Sequence, residues 1–345
     1  PTNAKQSMLV TTIPAALDKG ARLLVETRAE RFELANGKVQ ALHCQSAIYE
    51  PNRPVAGVKS AQKAIKIVAK HYVLAAGAIN SPAVLLRSQA PDPHSHLGRR
   101  TFLHPVVASA AILPQKVEAW TGAPQTIYSD HFLETQAIDG PIGYKLEAPP
   151  LHPVIFASTV QGYGQAQANL LSQFAHTHVL LALMRDGFHE DASGGRVSLR
   201  SDGSPVLDYP LTDFVMEGAR RALLSMAEIQ FAAGAKEVLP VHELAKPYTS
   251  WAEAKIAIEA LPIKPYLTKV VSAHVMGGCG MGGTEKLGTT RPDGVHWQIN
   301  NLSIHDGSLF PTSIGANPQL SIYGVVNRLA QGLAKRLTQR DVALA

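Results

Sequence analysis

The sequence predicts a mixed α/β chain of the α+β kind, with antiparallel strands and helices that cross them. Three observations carry this. A hairpin signal at Asn36-Gly37 is followed by a strand, a turn and a helix within residues 1–97. Between 97 and 269 prolines and glycine-rich turns punctuate short apolar segments. After Lys269 a glycine cluster leads into a final segment of helical periodicity. With 345 residues, 46% apolar and 17% charged, the chain has ordinary globular composition and should form one large or two intimate domains.

Taken in order, residues 7–19 are amphipathic and precede Gly20, which suits the left-handed turn after a helix. Residues 21–34 and 38–48 are rich in apolar and β-branched side chains, so a β-hairpin is expected around Asn36-Gly37. Residues 64–76 read as one strand running into Gly77. Ser81-Pro82 then opens a helix to about Arg87, because proline is tolerated at a first helical position. In the middle region, 179–184, 196–200 and 206–209 are expected strands, the last two joined through Ser201 to Ser204. Helices are expected over 213–233, capped by Asp213 and ended by Gly234, and over 251–260. A strand is expected over 270–275. The closing helix carries Leu320, Ile322, Val325, Val326, Leu329, Leu333 and Leu337 on one stripe.

The totals exclude several classes. No run of about 18 uncharged apolar residues occurs, and the first residues lack a signal-like apolar core. Cys44 and Cys279 are too few to staple a secreted fold of this size, which points to a reducing compartment, cytoplasmic or membrane-peripheral. A net charge of +5 spread along the chain does not make a nucleic-acid surface.

Two residues stand out for chemistry. His274 lies between an expected strand and a glycine cluster running from Gly277 to Gly283, a segment whose backbone freedom implies close approach to something. Histidine also has a pKa suited to proton exchange near neutrality, although this chain has 14 histidines and a structural role alone would account for one of them. Asn317-Pro318 places a good N-cap residue ahead of a proline, so Asn317 serves either as a cap or at a site on the positive end of a helix dipole. Gly278-x-Gly280-x-x-Gly283 mimics a dinucleotide fingerprint, but Gly288 and Pro292 follow where a helix is required. No P-loop, metal-ligand spacing or Gly-x-Ser-x-Gly turn is present, so no metal site is expected.

Three segments in order, 72–82 (YVLAAGAINSP), 272–282 (SAHVMGGCGMG) and 306–318 (DGSLFPTSIGANP), resemble the glucose-methanol-choline (GMC) oxidoreductases. The resemblance spans essentially the whole chain and is weakest in the middle region. It implies an incomplete FAD-binding domain made of 1–97 and 270–345, plus a substrate domain over 98–269 with an antiparallel sheet and helices. It also implies His274 and Asn317 at the catalytic centre, hydride transfer from an alcohol carbon to flavin N5, His274 as base and Asn317 on the alcohol oxygen. By the same resemblance Ala29 meets the adenine, Ala75, Ala76 and Gly77 lie beside the cofactor, and Asp306-Gly307 approaches its ribityl and pyrophosphate portion. Pro318-Gln319 starts the helix near the flavin ring.

The sequence departs from the family pattern at Gln89 and Pro91, where glycines are usual, and in having no Gly-x-Gly-x-x-Gly turn within residues 1–20. A missing N-terminal segment or a partner chain is therefore expected to supply that turn, and this chain alone is expected to bind FAD poorly. The substrate class implied is a fairly hydrophobic primary or secondary alcohol, a small-molecule substrate, resting on the apolar, proline-rich middle region and on the likeness of 97–105 (LGRRTFLHP) to members that handle long-chain or sterol-like alcohols; no electron acceptor is specified. The competing expectation is a non-catalytic remnant that binds a hydrophobic ligand or acts as a scaffold.

Overall fold

The computed structural model describes residues 6–46, 63–123, 125–135 and 137–340. Helix α1 (Thr12–Asp18) is shorter than its amphipathic pattern and buries none of its residues. Strands β1 (Thr27–Ala35) and β2 (Lys38–Ser46) form the expected hairpin. Ala35 pairs with Lys38, and Asn36 and Gly37 both take positive φ (51° and 68°), as a two-residue turn between right-twisted strands requires. The last two residues of the expected second strand, Ala47 and Ile48, lie outside the described residues.

The single strand expected over 64–76 is two strands with different partners. β3 (Ala64–Ile67) extends the hairpin antiparallel to β2, whereas β4 (Tyr72–Leu74) leaves for another sheet. Helix α2 (Gly77–Arg87) follows directly and places Pro82 inside rather than at its first position. The reason is a carboxylate far along the chain. Asp306 Oδ2 accepts from Gly77 N at 3.0 Å and from the Ser81 hydroxyl, which itself accepts from Ala76 N at 3.0 Å. These bonds hold a first helical turn that the local sequence does not signal.

The middle region contains β5 (Arg99–Phe102), β6 (Val106–Ile112), β7 (Tyr128–Ser129), α3 (His131–Glu134), β8 (Tyr144–Glu147), α4 (Pro153–Thr159) and α5 (Gly164–Ser172). Strands β9 (Thr177–Met184), β10 (Gly195–Leu199) and β11 (Pro205–Asp208) follow, then helix α6 (Asp213–Ala232), strand β12 (Glu237–Pro240) and helix α7 (Trp251–Ala260). An antiparallel sheet in the order β12-β6-β9-β8-β7 carries α6 across it. Thr212, not Asp213, caps α6, its hydroxyl accepting from Val215 N. The helix's buried face, including Val215, Ala219, Leu223 and Met226, closes one core on the sheet. Gly218 lets α6 approach this closely, since a Cβ there would lie 1.9 Å from Ile142 Cγ2.

Beyond α7 the strand expected over 270–275 does not form: Val271 makes a single antiparallel bridge to Val106, and strand β13 is Met276–Gly277, paired with β5. A second sheet therefore runs β11-β10-β5-β13. Strand β14 (Leu302–Ile304) pairs parallel with β4, register Ser303 to Val73. Helix α8 (Gln319–Thr338) closes the chain; of its apolar stripe only Leu329 and Leu333 are buried, and Leu320 is 81% exposed. A separate core joins residues from two distant stretches, among them Phe32, Tyr72, Leu85, Cys279, Leu302 and Leu309. The molecule is a mixed α/β fold of antiparallel sheets and crossing helices. No helix among the described residues is long and apolar enough to cross a membrane.

Candidate active site

His274 lies on the short segment between the Val271 bridge and β13, and it is half-buried. Its amide donates to Ser272 Oγ at 3.4 Å, and the Ser272 hydroxyl donates to the Leu103 carbonyl, so the segment is tied to the chain entering β6. Its Nδ1 lies 3.1 Å from Nδ1 of His104, a fully buried histidine. Burial lowers the pKa of His274 from its ordinary value, which keeps the ring neutral at pH 7 and able to accept a proton.

Asn317 does not cap the helix it precedes. The N-cap position of α8 is Pro318, with no side-chain cap bond, and the Asn317 amide instead donates to Glu147 Oε2 at 3.2 Å. Glu147 is 3% exposed; it also accepts from Gln125 Nε2 at 2.8 Å and lies 3.7 Å from Lys145 Nζ. Lys145 sits 3.9 Å over the Tyr128 ring and is near enough to His104 to lower that histidine's pKa further. Each candidate residue thus has a buried polar partner, His274 with His104 and Asn317 with Glu147, and Lys145 pairs with Glu147 and Asp130.

The other expected positions gather elsewhere. Ala29 and Ala76 line one cleft of about 600 Å³, together with Thr27, Leu74, Asn80 and Ser204, a volume typical of small-molecule sites. Ala75 and Ala76 are exposed at the end of β4, and a Cβ on Gly77 would meet only open space. Asp306 is buried with both carboxylate oxygens used, Oδ1 accepting from Ser308 N at 2.7 Å and Oδ2 from Gly77 and Ser81. Gly307 backs onto α8, where an added Cβ would lie 3.2 Å from Ile322 Cδ1. Pro318 is buried and Gln319 exposed at the uncapped helix start, which leaves first-turn N–H groups without a side-chain partner.

Sequence reasoning missed His104, Glu147 and Asp186. Glu147 belongs to the segment Tyr144–Glu147, in which burial of the last carboxylate follows from its partners and not from any alternation of charged and apolar positions. Asp186 is fully buried and accepts from Leu103 N at 3.1 Å, His104 N at 3.2 Å and the Tyr209 hydroxyl at 2.7 Å.

Family models described as GMC oxidoreductase match residues 1–106 and 191–325, together more than half of the chain. A long-chain-alcohol oxidase of Arabidopsis thaliana is 26% identical over 97% of this chain and 45% of its own length. A second one is 28% identical over 73% of this chain and 35% of its own length. An uncharacterized GMC-type oxidoreductase of Sinorhizobium fredii is 24% identical, over 96% of this chain and 61% of its own length. The chain therefore spans about half the length of these relatives. Among solved structures, pyridoxine 4-oxidase from Mesorbium loti superposes with a TM-score of 0.58 at 18% identity, over 89% of this chain and 57% of that one. A variant of Aspergillus oryzae formate oxidase gives 0.62 at 13% identity, over 91% of this chain and 60% of that one. At such identities the structural matches establish the fold alone.

Proposed function

This chain belongs to the GMC oxidoreductase family, and from that premise we propose that it is the substrate-facing part of an FAD-dependent alcohol oxidoreductase, with His274 as base and Asn317 holding the alcohol oxygen. The observation that carries the reading is the contrast between two side chains: His274 is kept neutral by burial, and Asn317 is braced by a buried carboxylate instead of capping its helix. A neutral imidazole accepts the hydroxyl proton. The second Asn317 amide hydrogen remains to hold the oxygen on which charge develops.

The residues present fit one end of a nucleotide cofactor. The cleft lined by Ala29 and Ala76 is large enough for an aromatic base with its sugar, and the exposed end of β4 with the open space at Gly77 leaves room for a group to pass. Asp306-Gly307 would fix the backbone beside it, and Pro318-Gln319 would present the helix start to the ring. FAD, when bound, supplies the acceptor for the hydride leaving the alcohol carbon. We read 1–97 and 270–345 as parts of one flavin domain and 98–269 as the substrate domain. The substrate class proposed is a hydrophobic alcohol, the class named in the long-chain-alcohol oxidases that the chain resembles.

The test is the absorbance spectrum of the purified chain with added FAD, followed by a long-chain primary alcohol without oxygen. Bleaching of the flavin bands by the alcohol supports the reading. His274→Ala should slow that bleaching on the order of 10²-fold or more, as loss of a general base does. Unchanged bleaching in His274→Ala would remove His274 from the role. A chain that takes up a hydrophobic alcohol but never bleaches a flavin would be a binding module.

A further inference from the structure

His104 is buried, strained and incompletely bonded, and those three features belong together. Its φ is +52°, a conformation few side chains adopt, and Pro105 follows it, which restricts the backbone further. The conformation is held because the amides of Leu103 and His104 both donate to the Asp186 carboxylate, itself clamped by the Tyr209 hydroxyl. On the other side, Ser272 bonds the Leu103 carbonyl and the His274 amide. Both backbones are thereby fixed where the rings meet, with centroids 5.2 Å apart and planes inclined by 30°. The far nitrogen of His104, Nε2, is buried with no hydrogen-bond partner among the described residues. Strain and an unpaired buried polar atom are both costly, and structures keep them mainly where a function depends on them.

Two imidazole Nδ1 atoms at 3.1 Å share one proton, so one ring donates and the other accepts. The charged form of the pair decides between them. His104 is fully buried and His274 only half-buried, and burial with the charges of His274 and Lys145 lowers the pKa of His104, so a proton entering the pair resides on His274. A protonated His274 has both nitrogens as donors, and its Nδ1–H then has to meet a bare Nδ1 on His104. Only the Nε2–H tautomer of His104 offers that. If the resting pair already has this arrangement, a proton arrives at His274 Nε2 and nothing else need move. In the opposite arrangement His274 Nε2 already bears a proton and cannot act as base.

We propose that His104 is a positioning residue: it accepts the hydrogen bond of His274 Nδ1–H and so leaves His274 Nε2 as the proton-accepting atom. This rests on the reading of His274 as the base, and it adds that the atom which takes the alcohol proton is set from the link between β5 and β6. In the proton transfer the alcohol O–H bond breaks and an N–H bond forms at His274 Nε2, while the proton at Nδ1 stays in place.

The test reads tautomers and does not depend on turnover. The full chain, labelled with 15N in its histidines, is examined above pH 8 by long-range 1H–15N correlation, and the His274 signals are those lost in His274→Gln. The expected result is a His274 with protonated Nδ1 and bare Nε2, beside a His104 protonated at Nε2. A His274 protonated at Nε2 in the unsubstituted chain overturns the proposal, whether or not the chain oxidises alcohols. His104→Asn, whose amide oxygen can accept and which tolerates positive φ, should preserve the His274 tautomer. His104→Ala should lose it and, in FAD-loaded protein, lower kcat about 10–100-fold with little change in KM, the scale seen when a group orienting a reacting histidine is removed. Loss of activity in His104→Ala with the His274 tautomer unchanged also overturns the proposal. If the tautomer is as expected but alcohol never bleaches the flavin, the functional reading fails on its own.

Discussion

Glu147 does for Asn317 what His104 does for His274, and its energetics can be argued separately. Removing a carboxylate that is 3% exposed leaves the largely buried Lys145 with Asp130, 3.6 Å away, as its remaining carboxylate, and leaves the Asn317 and Gln125 amides without their acceptor. Glu147→Ala should therefore lower unfolding free energy by about 1–3 kcal/mol, the usual cost of leaving buried polar groups without their acceptor. Glu147→Gln keeps an acceptor for the Asn317 amide, so it should lose less stability than alanine and retain more activity. Urea unfolding together with flavin bleaching by alcohol distinguishes the variants; equal effects of Ala and Gln would show that charge, and not the brace on Asn317, is what matters. Neither Glu147 nor His104 was legible in the sequence. Both bonds to the expected site residues close across 170 positions of chain, and no local periodicity encodes a partner at that distance. His274 and Asn317 could be singled out as candidates because each stands beside a break in regular structure, before the glycine cluster and before a proline, while the roles proposed for them came from the family resemblance.

Elements show the same division between local and distant causes. The β1–β2 hairpin, α6 and α7 follow from turn chemistry and caps within a few residues: positive φ at Asn36 and Gly37, Thr212 before α6, and Ser250 accepting from Glu253 N before α7. The start of α2 does not, because the Asp306 carboxylate that bonds its first turn lies 229 positions from Gly77. β13 is a further case. It is two residues long, and its pairing with β5 depends on Gly277, whose φ is +83° and whose added Cβ would stand 1.9 Å from the Arg100 carbonyl oxygen. Gly277→Ala should therefore push β13 off β5 and cost about 1–3 kcal/mol from backbone strain alone, with the clash adding to it. Because His274 precedes β13 by two positions, alcohol oxidation should fall by more than the change in folded population explains. Chemical denaturation and activity measured on the same preparation test this; a stable variant with unaltered activity would show that the glycine cluster does not position His274.

At the scale of the whole molecule, the core under α6 and the core around Leu302 are joined by ties that include the Val106–Val271 bridge, the β5–β13 pairing, the Ser272–Leu103 and Thr312–Gly187 bonds, the His104–His274 contact and the Asn317–Glu147 bond. Both candidate catalytic residues sit among those ties, so whatever loosens the junction disturbs the candidate site. Acid should do so. Burial lowers His104 to about 3 and His296 to about 4, and it lowers His178 on β9 as well, while the same side chains in an unfolded chain take their protons near 6.5. Below that value the unfolded state binds more protons than the folded one, so stability falls as pH falls, down to the folded pKa of each ring. Each such histidine contributes a slope of up to about 1.4 kcal/mol per pH unit. Asp186 works in the opposite sense, because desolvation raises its pKa and a carboxyl that gains its proton more readily in the fold favours the fold as pH drops. His71, His242, His274 and His305 are lowered by burial in the same way, and together these rings outweigh one carboxyl, so urea midpoints followed by circular dichroism should fall steadily from pH 7 to pH 5. His296→Asn should flatten that fall by about one ring's share whether or not it changes stability at pH 7. If the midpoint is level across this range, or the His296 variant leaves the slope unchanged, these imidazoles bind protons inside the fold as readily as outside it. The neutrality assigned to His274 on the same physical ground would then have to be measured directly.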